Sequence, residues 1–430
     1  MREILSAGLA AADPREAVLR SARVERDSVL AGEGRFAAER IFVLAAGKAA
    51  GAMARAAEEL FGDRIAGGLI VTKDGHEASS ERLDVLFAAH PEPDGRSVEA
   101  ARRATQLAES LREGDLLLAL ISGGASALLA DPAPPIELAD LKQLTGALLR
   151  SGAHIGEINA VRKHVSVLKG GGLVSLAAPA ETLALILSDV VGDDISAIAS
   201  GLTAPDPTTL EDARRVLRRY EIDPAGSIVE HLRGAEETPK PGDALFDGVA
   251  NVLCGSGRHA AEAAAKKARG LGYTPLLLST TVTGDARGIA SVYAAVIREV
   301  LESGNPLPPP CAIVSGGEAT VTVRGDGTGG PNQEFALTLA VELDGVRGWA
   351  ALAADTDGND GPTDAAGGLA TGTTADAIRS GGLDPGEALA NNDAYAALEA
   401  GGALLATGPT GTNDNDLRVA LIFDDREAPR

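Results

Sequence analysis

Two segments of this chain run an apolar stretch straight into Ser-Gly-Gly: Leu117-Leu-Ala-Leu-Ile-Ser-Gly-Gly-Ala-Ser126 and Cys311-Ala-Ile-Val-Ser-Gly-Gly-Glu318. A glycine pair after a strand lets backbone N–H groups turn outward and approach an anion with no Cβ in the way. After Ser122-Gly123-Gly124-Ala125-Ser126 an Ala/Leu helix is expected, whose N-terminus would add its dipole to the same site. After Ser315-Gly316-Gly317 the text turns to alternating Thr and Val, a strand pattern. A plain tight turn is the competing reading of each. Because the flanks diverge at once, the two read as separate solutions to one problem rather than as an internal repeat.

Lys48 follows Gly47 at the end of the apolar run Arg40-Ile-Phe-Val-Leu-Ala-Ala46. A P-loop would need a glycine where Phe42 stands and Ser or Thr where Ala49 stands, so that motif is excluded. A lysine just past a strand still reaches a phosphate, or else it simply opens a solvated helix. Further on, Asn159-Ala-Val-Arg-Lys-His-Val-Ser-Val-Leu-Lys169, if helical, places Asn159, Arg162, Lys163, Ser166 and Lys169 near one face. In so acidic a chain that stripe is either an anion-binding face or an ordinary solvated one. Asp189 and Asp193 follow a buried strand, where open α/β sheets hold their ligands. They are candidates for a base or for metal ligands, and helix capping is the other use of Asp193 and Asp194.

The loop Asp355-Thr-Asp-Gly-Asn-Asp-Gly361 has the oxygen spacing of a calcium loop, but its sixth residue is Asp360 and its twelfth Ala366, which excludes an EF-hand. Gly255-Ser-Gly-Arg-His-Ala260 has the glycine spacing and strand-to-helix context of a dinucleotide site. The next strand ends in Leu278-Ser-Thr-Thr281, without the acidic residue that holds an NAD ribose. A phosphate-binding turn, a packing turn and an NADP site all stay open.

Positioning such groups is work for a parallel sheet. At 430 residues, 45% hydrophobic, 23% charged and 3% aromatic, the chain is expected to be a soluble α/β protein of two domains. Strands are expected at 40–46, 68–72, 85–89, 115–121 and 182–187 with helices between most of them, hence a mainly parallel sheet covered on both faces. Residues 1–30 have helical periodicity. The Pro- and Gly-punctuated run Glu236-Glu-Thr-Pro-Lys-Pro-Gly-Asp243 marks a boundary and gives domains 1–236 and 237–430. The second is expected to open with a strand at 248–254, followed by a helix at 259–270, a strand at 274–279, a helix at 285–302 and, past a hinge at 303–310, a strand at 311–314. Its later Gly-, Asp- and Asn-rich loops are of the kind that hold function.

The net charge of −22, from 39 basic and 61 acidic residues, argues against nucleic-acid binding. An anionic substrate must therefore meet a local cationic cluster or a metal. Cys254 and Cys311 cannot form a disulfide framework, and no run has the character of a signal peptide or a membrane span. A cytoplasmic enzyme without a membrane partner is expected.

Taken in order, Ala45-Ala-Gly-Lys-Ala49, His90-Pro-Glu-Pro-Asp94, Ile121-Ser-Gly-Gly-Ala-Ser126, the 159–171 run, Ser188-Asp-Val-Val-Gly-Asp193, Ser315-Gly-Gly-Glu318, Gly329-Gly-Pro-Asn-Gln-Glu334, Asp357-Gly-Asn-Asp-Gly-Pro-Thr-Asp364, Asn391-Asn-Asp393 and Thr407-Gly-Pro-Thr-Gly-Thr-Asn413 resemble the class II glycerate 2-kinase family. The C-terminal part of that family is the MOFRL domain, here at about 308–425. The resemblance covers nearly the whole chain. It implies ATP-dependent phosphorylation of D-glycerate to 2-phosphoglycerate with Mg2+, on a Rossmann-like N-terminal domain and a smaller α/β domain with an active-site cleft between them, into which both Ser-Gly-Gly turns look. It further implies catalytic roles for Lys48, Asp189 and Arg324, with Asp189 as base. Phosphate or nucleotide contacts would come from Gly47, Ser122, Gly123, Gly124, Ser126, Arg162, Lys163, Lys169, Ser315, Gly316, Gly317 and Asn332, and magnesium ligands from Asp193, Glu318 and Asp357.

Two departures stand out. Some family members carry Arg where this chain has Pro331, so an arginine from that loop is either absent or replaced by Arg324, and an apolar residue is common where Asp414 stands. The alternatives are an NADPH-dependent hydroxypyruvate reductase built on the Gly255 turn, a related hydroxy-acid kinase, and a binding regulator without catalysis. A homodimer is the assembly left open.

Overall fold

The computed structural model describes residues 1–412 and 414–423, so Asn413, which closes the 407–413 motif, lies outside the described residues. Two compact units result: Pro14–Cys254, and Met1–Asp13 joined with Gly255–Arg430. The chain changes unit at 13/14 and 254/255 rather than at 236/237. The reason is the strand Val249–Gly255, expected to open the second domain, which instead forms the edge of the first unit's sheet beside Glu181–Leu187. Residues 303–310, read as a hinge, join the helix Ala286–Ser303 to the strand Cys311–Thr320 inside one unit.

In the unit Pro14–Cys254 six strands lie in the order Asp84–Ala88, Ile65–Lys73, Arg40–Ala46, Asp115–Ile121, Glu181–Leu187, Val249–Gly255. The first five pair in parallel. Asp115–Ile121 shows why no alternation marks these strands. Leu116, Leu118 and Leu120 enter the apolar cluster on one face, and Leu117, Ala119 and Ile121 the cluster on the other. At roughly 1.5–3 kcal/mol for each large side chain fully buried, both faces hold the strand in place. Its one charged residue, Asp115, is buried at the edge of this run and bonded twice by the Arg40 guanidinium at 2.8 Å.

Residues 1–30 are only partly helical. After the helices Arg2–Ala11 and Pro14–Ser21 the chain forms a small antiparallel sheet of Ala22–Glu25, Ser28–Ala31 and Gly34–Ala37. Its turns hold Arg26 and Gly32 at positive φ (53° and 56°), and only the glycine was a visible cue.

The other unit has a mixed sheet ordered Thr274–Asp285, Cys311–Thr320, Asp416–Ile422, Trp349–Asp355, Gly367–Thr371, Leu404–Leu405. The first pair is parallel and the rest antiparallel. The helix Arg2–Ala11 crosses Gly257–Gly270 at Gly8, where a Cβ would lie 3.2 Å from the Ala260 carbonyl oxygen and 2.6 Å from the Leu417 side chain. Among the described residues no helix is long and apolar enough to cross a membrane.

Candidate active site

In the parallel sheet the chain starts at Arg40–Ala46 and winds outward through Ile65–Lys73 to Asp84–Ala88. It then returns to lay Asp115–Ile121 against the opposite side of Arg40–Ala46 and winds outward the other way. The order reverses between these two central strands. An open α/β sheet leaves a ligand crevice beyond the carboxyl ends of its strands at such a point.

Gly47-Lys48 and Ser122-Gly123-Gly124 stand at those two ends, stitched together. The Ser122 N–H donates to the Ala46 carbonyl and the Lys48 N–H to the Gly123 carbonyl, both at 2.9 Å. The Ala49 N–H donates to Ser122 Oγ at 3.1 Å. Ser122 is buried, so its hydroxyl anchors the Lys48 turn instead of meeting a ligand. Gly47 has φ +127°, and a Cβ on it would lie 2.7 Å from the Ser122 carbonyl carbon, so its part is to allow this stitching. The N–H groups of Gly123 and Gly124 donate to no acceptor among the described residues. The following helix, Ala125–Leu128, is a single turn and cannot supply the dipole expected from the sequence, so the turn offers its N–H groups alone.

Asp189 follows the next strand outward, Glu181–Leu187. It packs on the bare face of Gly123, where a Cβ would lie 2.6 Å from Asp189 Cγ. Burial raises its carboxyl above the usual range, while the charge of Lys48 pulls it back down. His90 lies over Gly124, whose added Cβ would be 3.0 Å from His90 Cδ2 and 3.5 Å from Lys48 Cγ. Its loop is held by Asp94, which caps the helix Gly95–Glu109 by accepting from the Arg96 N–H at 2.9 Å and the Ser97 N–H at 3.3 Å. Burial lowers the His90 pKa, and the charges of Lys48, Lys73 and His76 lower it further, which keeps the imidazole neutral at pH 7. His76 Nδ1–H donates to the Lys48 carbonyl at 2.7 Å. Neither histidine was singled out from the sequence; His90 sat in a quoted motif, and His76 carried no signal.

The cationic stripe at 159–169 divides. The helix Ile155–His164 ends before Ser166, whose backbone bridges to Pro132, and Gly170 and Gly171 then take positive φ. Lys163 is buried, with Nζ 3.2 Å from Asp206 Oδ1, and Asp206 also accepts from Thr238 Oγ1 at 2.9 Å. Lys169 is buried too, bonded to Asp131 and to the Leu129 carbonyl. Asp131 also takes the Ser166 hydroxyl and the Leu168 N–H. Both lysines expected to bind phosphate are thus matched by carboxylates. Arg162 is not: it is half-buried, has no hydrogen-bond or carboxylate partner among the described residues, and its pKa is lowered by burial. Ser126 is held by Ser200 at 2.7 Å, whose hydroxyl donates to Asn159 Oδ1 at 3.1 Å. Ser200 has φ +56°, a costly conformation for a serine, and strain of this kind clusters at functional sites. Arg162, Ser126, Gly124, His90 and Lys169 line one cavity of about 280 Å³ within this unit.

In the other unit the second Ser-Gly-Gly is not a turn. Ser315, Gly316 and Gly317 lie inside the strand Cys311–Thr320, paired with Asp416–Ile422 on one side and Thr274–Asp285 on the other. Ser315 and Gly317 have partners on both sides, and Gly316 has one in Asp416–Ile422 alone, opposite the register shift between Ser279 and Val282. Ser315 is buried and accepts the Tyr293 hydroxyl at 2.5 Å. Gly317 is glycine because a Cβ would lie 2.7 Å from the Val282 carbonyl carbon, beside a register shift in the partner strand. Asn332 is buried at the start of the helix Pro331–Glu342, and its amide bridges Asp360 (3.1 Å) and Asp416 (2.6 Å). Burial, with the Asp416 charge behind it, pushes the Asp360 carboxyl up to about 7 against the N–H donors of Asn332 and Gln333. Burial and three neighbouring aspartates push Asp355 up to about 8. Arg324 is exposed, and its backbone N–H donates to Asn392 Oδ1 at 2.7 Å. Glu318 is exposed, Asp193 and Asp357 half-buried, with Asp193 at φ +57°. Among the described residues no three His, Cys, Asp or Glu side chains gather into a metal-holding group.

Residues 1–233 match the family described as "Domain of unknown function (DUF4147)", and residues 311–416 the MOFRL family. A protein named D-glycerate 2-kinase from Thermotoga maritima is 43% identical over 385 residues, covering 89% of this chain and 91% of its own. The chain belongs to the class II glycerate 2-kinase family. A crystal structure of glycerate kinase from Thermotoga maritima matches with a TM-score of 0.90 at 40% identity, over 98% of each chain. A protein from Agrobacterium vitis named "Putative hydroxypyruvate reductase" is also similar, 42% identical over 424 residues, 98% of this chain and 94% of its own.

Within that family the departures of this chain have a local account. Pro331 is the first residue of its helix, where a missing N–H costs no hydrogen bond. Asp414 is fully buried, and its N–H donates to Thr356 Oγ1 at 2.8 Å. At the Gly255 turn Ser256 is fully buried, and a Cβ on Gly257 would lie 2.9 Å from the Asp414 carbonyl oxygen, so close packing is one use of its glycines.

Proposed function

We propose that this chain is a glycerate 2-kinase that transfers a phosphoryl group from ATP to the 2-hydroxyl of D-glycerate. The observation that carries this reading is the convergence of Lys48, the open N–H groups of Gly123 and Gly124, and Asp189 at the carboxyl ends of three adjacent strands around the switch point. Phosphoryl transfer asks a protein mainly for positioning and charge neutralisation. Lys48 balances the charge of the transferred group, the two N–H groups hold its oxygens, and Arg162 offers a second cation without a partner to give up. Asp189 takes the proton of the hydroxyl; its raised pKa makes it a stronger base than an exposed carboxylate. Neutral His90 fills the space over the turn without adding charge.

Magnesium, if bound, would supply positive charge to offset that of the phosphates. Among the described residues no three His, Cys, Asp or Glu side chains gather into a preformed cage, so one or two carboxylates would hold the ion together with its own waters. Asp193 is the candidate beside Asp189, and Glu318 and Asp357 are the candidates in the other unit. Arg324 is the proposed anion contact of that unit in place of the arginine absent at Pro331.

The test is incubation with D-glycerate, ATP and magnesium, resolving 2- from 3-phosphoglycerate, beside a parallel reaction with NADPH and hydroxypyruvate. ATP-dependent 2-phosphoglycerate is the expected product. Oxidation of NADPH with ATP untouched would overturn the reading and make the Gly255 turn a cofactor site. The packing of Asp414 against Gly257 speaks against that outcome.

A further inference from the structure

The cavity beside the Gly124 turn has more apolar wall than a three-carbon acid can use. Leu141, Thr145 and Leu149 lie at i, i+4 and i+8 of the helix Leu138–Arg150 and line it from one side, and Pro91 and Pro93 add further apolar surface. Leu149 is 61% exposed, a large aliphatic side chain left in water at the cavity lining. The remaining lining includes Gly124, Ser126 and the partnerless Arg162. Glycerate carries a carboxylate and two hydroxyls and has almost no apolar surface, so binding it here would leave the leucines and prolines uncovered. A ligand with a flat, weakly polar ring joined to a chain of anionic groups matches both kinds of lining at once, and ligand pockets are built this way.

We propose that this cavity is the subsite for the base and ribose of the donor nucleotide. The adenine lies on the Leu141–Thr145–Leu149 face, and the phosphates run past Ser126 and Arg162 to the Gly123–Gly124 turn and Lys48. The donor is then held by the Pro14–Cys254 unit through its own residues. This rests on the kinase reading for the identity of the ligand, and the test separates the two.

Titration calorimetry of the full chain with ADP, and separately with D-glycerate, would be run on wild type, Thr145→Trp and Leu149→Glu, together with steady-state KM values for ATP and D-glycerate. Thr145→Trp fills the cavity. Leu149→Glu places a charge on an exposed position that the fold does not need, which keeps the test valid if the tryptophan variant fails to fold. The expected result is an ADP Kd and an ATP KM raised at least tenfold in Leu149→Glu and further in Thr145→Trp, with the D-glycerate KM within twofold of wild type. Weakened D-glycerate binding with ADP binding intact would overturn the inference and make the cavity the acceptor site, and unchanged affinities for both would overturn it too. If wild type makes 2-phosphoglycerate while the variants bind ADP normally, only the inference falls. If ADP binds as expected and no phosphoglycerate forms, only the kinase reading falls.

Discussion

Gly123→Ala tests the active site by moving Asp189 without changing its chemistry. The Gly123 backbone is outside the left-handed region, so alanine meets no conformational penalty there. What it meets is the Asp189 carboxylate, 2.6 Å from the new Cβ at Cγ and closer still at Oδ2. Ordinary contact begins at 3.4 Å, so Cγ must withdraw by about 0.8 Å and the oxygen by more. Because the obstacle is the end of a side chain and not backbone, the stability cost falls at the low end of the roughly 1–3 kcal/mol typical of overpacking. A misplacement of about 1 Å in a reacting group costs on the order of 100-fold in rate.

Gly123→Ala should therefore lower kcat about 100-fold with a melting temperature changed by only a few degrees. A second readout separates displacement from general damage. Burial is what raises the Asp189 pKa, so a carboxylate pushed toward water should move the acidic limb of the kcat–pH profile to lower pH. The assay is coupled detection of ADP release across pH 4–9, with Asp189→Asn as the reference for complete loss. A folded Gly123→Ala enzyme with wild-type kcat and an unmoved acidic limb would refute the assignment of Asp189 as base.

Three further outcomes follow from the same geometry. Lys48→Ala should lower kcat by about 10²–10³, the scale seen when one preorganised charge-stabilising group is removed, while calorimetric stability stays within about 0.5 kcal/mol. Lys163→Met and Arg162→Met, on neighbouring residues, should behave oppositely: the first strands Asp206 in the interior and costs about 3–5 kcal/mol in denaturant unfolding, whereas the second leaves stability nearly unchanged and raises the KM for ATP. The Asp360 carboxyl has a folded-state pKa of about 7 against about 3.9 when unfolded, so the folded chain holds the proton longer and stability falls as pH rises through that window. Asp360→Asn loses the bond from the Gln333 N–H at every pH, yet its stability should decline less between pH 5 and pH 8 than that of wild type, as read by urea unfolding at each pH.

The sequence made the parallel sheet legible because strands buried on both faces are written as unbroken apolar runs, and those at 40–46, 115–121 and 182–187 run out within two residues of a glycine or aspartate. Lys48, Gly123, Gly124 and Asp189 were picked out for that reason, and the fold brings them together at the ends of adjacent strands. Charge pairing was not legible. Lys163 and Lys169 looked like members of one cationic face with Arg162, and only the fold brings Asp206 and Asp131 to them from 43 and 38 residues away. Helical spacing also misled, since Ser166 and Lys169 lie past the end of the helix that was extended through them. The unit boundary was missed because the Pro-rich run at 236–243 breaks no sheet, whereas the strand after it still belongs to the first one.

The two Ser-Gly-Gly segments carry this furthest. Identical tripeptides following similar apolar runs differ in what their N–H groups can do because of what lies beside them. At 122–124 the strand has ended at Ile121 and its pairing with both neighbours stops there, so the Gly123 and Gly124 N–H groups are left without acceptors among the described residues. At 315–317 the strand runs on between two partner strands, so the tripeptide is part of a sheet and not a turn. The glycines serve different ends accordingly: Gly123 makes room for Asp189, and Gly317 makes room for the backbone of Val282. Within Pro14–Cys254 pairing stops at the switch point, beside Lys48, and that is what leaves the Gly123 and Gly124 N–H groups open for the anion proposed there.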